Sequence, residues 1–329
     1  MYRVVLVDYD EDLFSPRGGE AELLASAGIA WEAGRWRTEE EVVAHAQDAD
    51  VVIIQSLRKL LNARTIPQLR RCKGIISAGI GYDTVDVETA TAHGILVANV
   101  PEYCLEDVAE HALTLLLAAL RGVVGQDRSM RRGEWSRQCA LRTRRLRGLT
   151  LGLVGFGRIA RALVEKSAGL GLRYLAYDPY VQPETAAAYS VSLVDLETLL
   201  RQSDLISIHV PLNAETWHLI GERELGMVKP GAVLVNTSRG PVVDEQALIR
   251  ALQDGRLGAA GLDVFEEEPL PVDSPLRQME NVVLTPHTAA YSEDAAVELY
   301  RQACQEAIDI IAGRIPKGAV NAHRLGKSR

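Results

Sequence analysis

Residues 149–178 read LTLGLVGFGRIARALVEKSAGLGLRYLAYD, and their pattern decides the fold. An apolar run (149–155) breaks at Gly155-Phe156-Gly157 and enters a segment of helical periodicity. It resumes as a second apolar run (173–178) closed by Asp178. Gly155 and Gly157, with Ala160 in the third place, make the strand–turn–helix fingerprint of a dinucleotide-binding βαβ unit. Gly155 permits the tight turn, Gly157 lets a pyrophosphate approach the backbone, and Ala160 lets the helix lie close to the strand. The helix N-terminus then offers free N–H groups and a favourable dipole to the phosphates. Asp178, about 20 residues on, is placed to bind ribose hydroxyls. Its carboxylate repels a 2′-phosphate, and Pro179-Tyr180 supplies no arginine to hold one, so the cofactor reads as NAD in preference to NADP.

Further strands are expected outward from this unit at 3–7, 50–54, 74–78, 95–99, 204–210, 232–236, 258–264 and 281–285. Between them lie helical patterns such as EEEVVAHA (39–46) and DEQALIRALQDG (244–255). Alternation of this kind predicts an α/β fold, with parallel sheets covered by helices on both faces. A long helix is signalled over 100–121, opened by Pro101 and early acids and closed by Arg121-Gly122. It reads as apolar on nearly all sides, hence a core helix or one buried between subunits. The basic stretch that follows, 128–148, holds eight arginines and reads chiefly as solvated helix and connector.

The 329 residues are 47% hydrophobic and 24% charged, ordinary globular composition with length for two domains. A net charge of -8 argues against a nucleic-acid-coating protein. Cys72, Cys104, Cys139 and Cys304 are scattered without metal or disulfide spacing, which suits a reducing compartment. The first residues, MYRVVLVDYD, read as a strand and not as a signal peptide. The longest strongly apolar stretch, 112–120, is far short of the ~18 residues of a membrane span. The expectation is a cytoplasmic protein with no membrane or nucleic-acid partner.

Chemistry is carried by later motifs. VLVNTSRGPVVDEQAL (233–248) puts Arg239 between a strand and a helix, GAAGLDVFEEEPL (258–270) puts Glu268 before a proline, and LTPHTAAYS (284–292) puts His287 after one. With GFGRIARAL before them, these motifs resemble the D-2-hydroxyacid dehydrogenase family over essentially the whole chain. Within it the chain looks most like the branch of the C-terminal-binding proteins, through GIGYDTVD, NVPEYCLEDVAEHA, RRLRGLTLG, YDPY and TPHTAAYSE. The departures from that branch are Ser77, where it carries an arginine, and Ala290, where it carries a tryptophan.

The resemblance implies two Rossmann- or flavodoxin-like parallel-sheet domains with an active-site cleft between them. Residues 1–99 with 291–329 would form the substrate domain and 100–290 the NAD-binding domain, in a homodimer. It implies a 2-keto acid reductase in which His287 donates the proton, Glu268 orients it and Arg239 binds the carboxylate. It places NAD contacts at Gly155, Gly157, Arg158, Ile159, Asp178, His209, Val210, Pro211, Thr237, Ser238 and Asp263. Substrate contacts fall at Ala78, Gly79, Ile80 and Tyr103 as well as Arg239, the first three through backbone N–H groups. His111 reads as a structural partner. Trp135, Arg137, Arg142, Arg144 and Arg145 border a neighbouring site in this picture, against the plainer reading of surface arginines paired with surplus acids.

Two other readings follow from the same motifs. One is an NAD-dependent interaction protein like the C-terminal-binding corepressors. The other is a formate dehydrogenase, disfavoured because those enzymes pair the histidine with glutamine where Glu268 stands here. A hydrolase or metal enzyme is set aside: there is no Gly-x-Ser-x-Gly, and the seven histidines lack ligand spacing.

Overall fold

The computed structural model describes residues 1–9, 19–55, 57–135, 137 and 143–326. These divide into two compact units, residues 1–104 with 291–329 and residues 105–290. No single helix among the described residues is long and apolar enough to cross a membrane.

The first unit is a five-stranded sheet: β1 (Tyr2–Val7), β2 (Ile29–Gly34), β3 (Val51–Ile54), β4 (Gly74–Ser77) and β5 (Leu96–Asn99), in the order β2-β1-β3-β4-β5. Every pairing is parallel. Helices α1 (Gly19–Ser26), α2 (Glu39–Ala46) and α3 (Val87–Ala92) belong to it. The continuous buried runs of β3 and β4 are what a sheet covered on both faces requires. The C-terminal helix Glu293–Ile311 packs on it through Leu299, Tyr300, Ala303 and Ala307. The tail after that helix is stapled to β5: fully buried Asn321 accepts from Val97 N–H at 2.8 Å and donates to Thr91 Oγ1 and the Ile95 carbonyl. Gly318 has to be glycine, since a Cβ there would lie 1.9 Å from the Asn99 carbonyl oxygen.

Residues 100–104 stay with this unit, beyond the boundary that the proline at 101 suggests. The Val100 N–H donates to the Gly79 carbonyl at 2.9 Å and Cys104 is buried, so the chain leaves the unit only after 104.

The second unit opens with α4 (Leu105–Arg121) and α5 (Val123–Arg131). Its seven strands are β6 (Thr150–Val154), β7 (Arg173–Tyr177), β8 (Val191–Leu193), β9 (Leu205–Ile208), β10 (Ala232–Asn236), β11 (Leu257–Leu262) and β12 (Val282–Leu284). They run in the order β12-β11-β10-β9-β6-β7-β8, all parallel, with α6 (Arg158–Ser167), α7 (Pro183–Ala187), α8 (Leu196–Gln202), α9 (Glu222–Leu225) and α10 (Glu245–Gln253) between them. This is a doubly wound sheet. Its direction of growth reverses between β6 and β9, and the crevice at the carboxyl ends of those strands is where such sheets bind ligands.

Helix α4 does not bury all its sides. Val108, Ala109, Ala112, Leu115, Leu116, Ala119 and Leu120 form one buried stripe, while Glu106, Glu110 and Thr114 are exposed. The stripe packs close to the sheet: a Cβ on Gly261 would lie 2.8 Å from the Leu115 Cβ.

Arg144 takes the plainer of its two readings. Its guanidinium donates to Asp204 Oδ1 at 2.8 Å, just before β9 begins, at the amino end of the parallel strands, opposite the crevice. Arg142 lies outside the described residues. Asp204 is 6% exposed and also accepts from Thr150 N–H and Lys229. Burial alone would raise its carboxyl, but these donors outweigh it and hold Asp204 below the usual carboxylate range. Asp204→Ala leaves three donors without their acceptor and should destabilise this unit by about 1–3 kcal/mol. Because the folded carboxyl is depressed, its contribution is present above the unfolded value of about 3.9 and lost as pH falls through the folded one. The gap between wild type and variant in urea unfolding midpoint should therefore be wide near neutrality and close in acid.

Candidate active site

The crevice begins at Gly155, which has φ +90° and has no room for a side chain: a Cβ would lie 2.8 Å from the His209 carbonyl oxygen. Gly157 caps α6 with no side-chain acceptor, and a Cβ there would meet open space, so the start of that helix is uncovered. Arg158 is exposed and Ile159 half-buried in its first turn, with Ala160 buried against the sheet. Asp178, following β7, accepts from the Phe156 N–H at 2.9 Å and from the Tyr180 N–H at 2.9 Å, which fixes its carboxylate beside the glycine turn.

Sequence patterns missed Glu215. The Tyr180 hydroxyl donates to its Oε2 at 3.0 Å, adding a second carboxylate between the ends of β7 and β9. No motif marks it, because the contact spans 35 residues of intervening fold.

On the other side, His209, Val210 and Pro211 follow β9. His209 Nε2 lies 2.8 Å from Ser207 Oγ, and burial pushes its imidazole down to about 4, so it is neutral at physiological pH. Thr237 and Ser238 follow β10. Ser238 Oγ donates to the Ile208 carbonyl at 2.8 Å, whereas the buried Thr237 hydroxyl has no partner among the described residues. A helix start left uncovered, a turn that excludes side chains and an orphaned hydroxyl beside it fit a dinucleotide laid across the crevice.

Next to it stand the ionic groups. The His287 Nδ1–H donates to Glu268 Oε2 at 2.7 Å, and Glu268 Oε1 accepts the Phe265 N–H at 2.9 Å. The pairing fixes the proton on Nδ1 and turns Nε2 outward as the atom that can carry or release one. His287 has φ +55°, a left-handed conformation that costs about 1–3 kcal/mol away from glycine. Asp263 supplies the compensation. Its carbonyl accepts the His287 N–H at 2.7 Å, and its carboxylate accepts the Thr288 and Ala289 N–H groups at 2.8 and 2.9 Å. The carboxylate of Asp263 therefore builds the histidine loop.

Arg239 is held by its backbone. Buried Asn236 accepts the Ser238 N–H at 3.0 Å and donates to the Arg239 carbonyl at 2.9 Å. Gly240 lets this turn press on the Glu268 loop: a Cβ there would lie 1.9 Å from the carbonyl carbon and oxygen of Phe265. That loop is clamped again where Glu266 and Glu245 each accept the other's N–H at 3.1 Å.

In the first unit the turn after β4 holds Ala78, Gly79 and Ile80. The Ala78 N–H is committed to the Ile54 carbonyl at 2.7 Å and that of Gly79 to the Ser77 carbonyl at 2.9 Å. This leaves Ile80 as the amide of the three with no acceptor among the described residues. Tyr103 is half-buried against that unit's core.

An uncovered helix start, a carboxylate fixed beside the glycine turn, and a histidine–glutamate pair on a loop packed against the turn that bears Arg239 are the groups a nicotinamide-dependent oxidoreductase requires. The sequence pattern of the D-isomer specific 2-hydroxyacid dehydrogenase NAD binding domain matches residues 113–289. A glyoxylate reductase of Korarchaeum cryptofilum is 40% identical over 283 residues, 85% of either chain. A D-3-phosphoglycerate dehydrogenase of Methanocaldococcus jannaschii is 39% identical over 293 residues, 89% of this chain but only 55% of that one, so the chain spans about half the length of that relative. The crystal structure of D-lactate dehydrogenase from Aquifex aeolicus, complexed with NAD and lactic acid, superposes with a TM-score of 0.82 at 28% identity, covering 94% of this chain and 96% of that one. The chain belongs to the D-isomer specific 2-hydroxyacid dehydrogenase family.

Proposed function

We propose that this protein is an NAD-dependent D-2-hydroxyacid dehydrogenase acting as a 2-keto acid reductase. The observation that carries the reading is the His287 Nδ1–Glu268 Oε2 bond of 2.7 Å, on a loop against which Gly240 presses the turn bearing Arg239. Bound NADH supplies the hydride. Gly155, Gly157, Asp178 and Thr237 hold the cofactor, and the neutral His209 lines it without acid–base work. Arg239 offers a planar, permanently charged fork that binds the substrate carboxylate. His287 carries a proton on Nε2 and gives it to the developing alkoxide, while the Glu268 carboxylate holds the ring through Nδ1–H.

Within the first unit, the Ala78–Ile80 turn offers the Ile80 amide to an anion. The setting is a cytoplasmic homodimer. Cys72, Cys104 and Cys304 are free thiols, in keeping with a reducing compartment. Small keto acids are the first candidates, because the relatives named above include glyoxylate reductase and D-lactate dehydrogenase.

The test is NADH oxidation across glyoxylate, pyruvate, bulkier 2-keto acids and a phosphorylated one. At least one should be turned over, and no turnover of any would remove the reductase reading. NADH should be preferred over NADPH in kcat/KM, because a 2′-phosphate would meet the carboxylates of Asp178 and Glu215. Asp178→Asn should narrow that preference. A wild-type preference for NADPH would overturn the assignment of Asp178.

A further inference from the structure

We propose that His111 and Thr285 are positioning residues for the His287 imidazole, joined in a chain with Asp263. The inference rests on the reading of His287 as proton donor and deepens it. Asp263 is 1% exposed, and its ionised carboxylate can only accept. The Thr285 hydroxyl lies 2.6 Å from Asp263 Oδ1 and therefore spends its single proton there. His111 Nε2 lies 3.0 Å from the same hydroxyl oxygen. With its proton committed, Thr285 can only accept from the ring, so His111 must carry a hydrogen on Nε2. The direction of the whole chain follows: His111 donates to Thr285, and Thr285 donates to Asp263.

This chain joins three elements distant in sequence. His111 stands on α4, Asp263 follows β11, and Thr285 ends the β12 segment, 174 residues from His111. Thr285 is also two residues before His287, whose left-handed backbone persists only while its surroundings enforce it. The amide bonds to Asp263 fix the loop after the histidine, and Thr285 fixes it before. Removing the hydroxyl frees one side of the loop and leaves the His111 N–H only the longer approach, 3.6 Å, to Asp263 Oδ1. A proton donor displaced by about 1 Å can lose on the order of 100-fold in rate, although nothing that binds the cofactor has changed.

The experiment compares Thr285→Val, nearly equal in shape but without a hydroxyl, with Thr285→Ser, which keeps it. It pairs His111→Leu, which cannot donate, with His111→Gln, which can. Turnover of the best keto acid is read beside NADH affinity by fluorescence titration. Thr285→Val and His111→Leu should lower kcat by about 10- to 100-fold with NADH affinity unchanged. Thr285→Ser and His111→Gln should recover most of it, and the Thr285→Val/His111→Leu double variant should lose little more than either alone. Wild-type kcat in Thr285→Val, or a loss that serine does not restore, would overturn the inference. If Thr285→Val does not fold, the His111 pair decides by the same criterion. A His287→Ala control separates the two readings. If that variant is inactive while Thr285→Val and His111→Leu are not, only this inference falls. If it turns over as wild type, the proton-donor reading falls and takes the inference with it.

Discussion

His287→Ala should lose about 10²–10⁴-fold in kcat for keto acid reduction while binding NADH as tightly as the wild type, as expected for removal of a general acid. The split between turnover and affinity is the discriminating measurement. The imidazole is joined to Glu268, whereas the helix start, Asp178 and Thr237 surround the dinucleotide crevice, so deleting it leaves those groups intact. Glu268→Gln refines the same result. The amide matches the carboxylate in size but can meet the Nδ1–H only through its carbonyl oxygen, so the hold on the ring weakens. Turnover should therefore fall in Glu268→Gln with NADH affinity unchanged, and a wild-type kcat would remove the histidine–glutamate pair from the mechanism. A His287→Ala enzyme that kept its kcat would remove the proton donor itself.

Gly240→Ala is the second large effect, and it acts through backbone. The added methyl would lie 1.9 Å from the Phe265 carbonyl and 2.5 Å from the Glu266 nitrogen, and main-chain atoms cannot swing away as a side chain can. Overpacking of this kind typically costs about 1–3 kcal/mol, and here it pushes on the segment whose Phe265 N–H holds Glu268 Oε1. Activity should fall further than stability explains. Asp204→Ala is the matched control, since it weakens the same unit at the opposite, amino end of the parallel strands. At a temperature where both remain folded by circular dichroism, Asp204→Ala should keep near-wild-type kcat and Gly240→Ala should not. Equal kcat in the two variants would show that the approach of these loops has no bearing on catalysis.

Two strands escaped the sequence, β2 and β8, and each lies at the edge of its sheet. Both lack the unbroken apolar run by which β3, β4 and β6 are recognised, whereas the other two edge strands, β5 and β12, are apolar enough to be expected at 95–99 and 281–285. β2 reads IAWEAG with only Ile29 fully buried, and β8 spans three residues. The long helix was legible in extent, and its packing within the chain was decided by the fold. Its many leucines and alanines suggested a core helix or one buried between subunits, and within the chain the sheet takes one stripe while Glu110 and Thr114 are exposed.

The sequence by itself located the glycine turn between β6 and α6, the carboxylate after β7, and an arginine, a glutamate and a histidine that each follow a strand. Each depends on a local requirement: a glycine where the backbone bends sharply, a small residue where helix meets strand, an ionisable group at a strand's end. Only the tertiary structure decided what these groups touch. The resemblance had already implied that Glu268 meets His287, but nothing in the chain signalled that His111 reaches Thr285 across 174 residues or that Tyr180 reaches Glu215 across 35. The sharing of Asp263 between the loop it holds and the strand it ends is likewise invisible in the chain. A hydrogen bond is decided by distances of a few ångströms, and separation along the sequence carries no such distance until parallel strands bring their carboxyl ends to one edge.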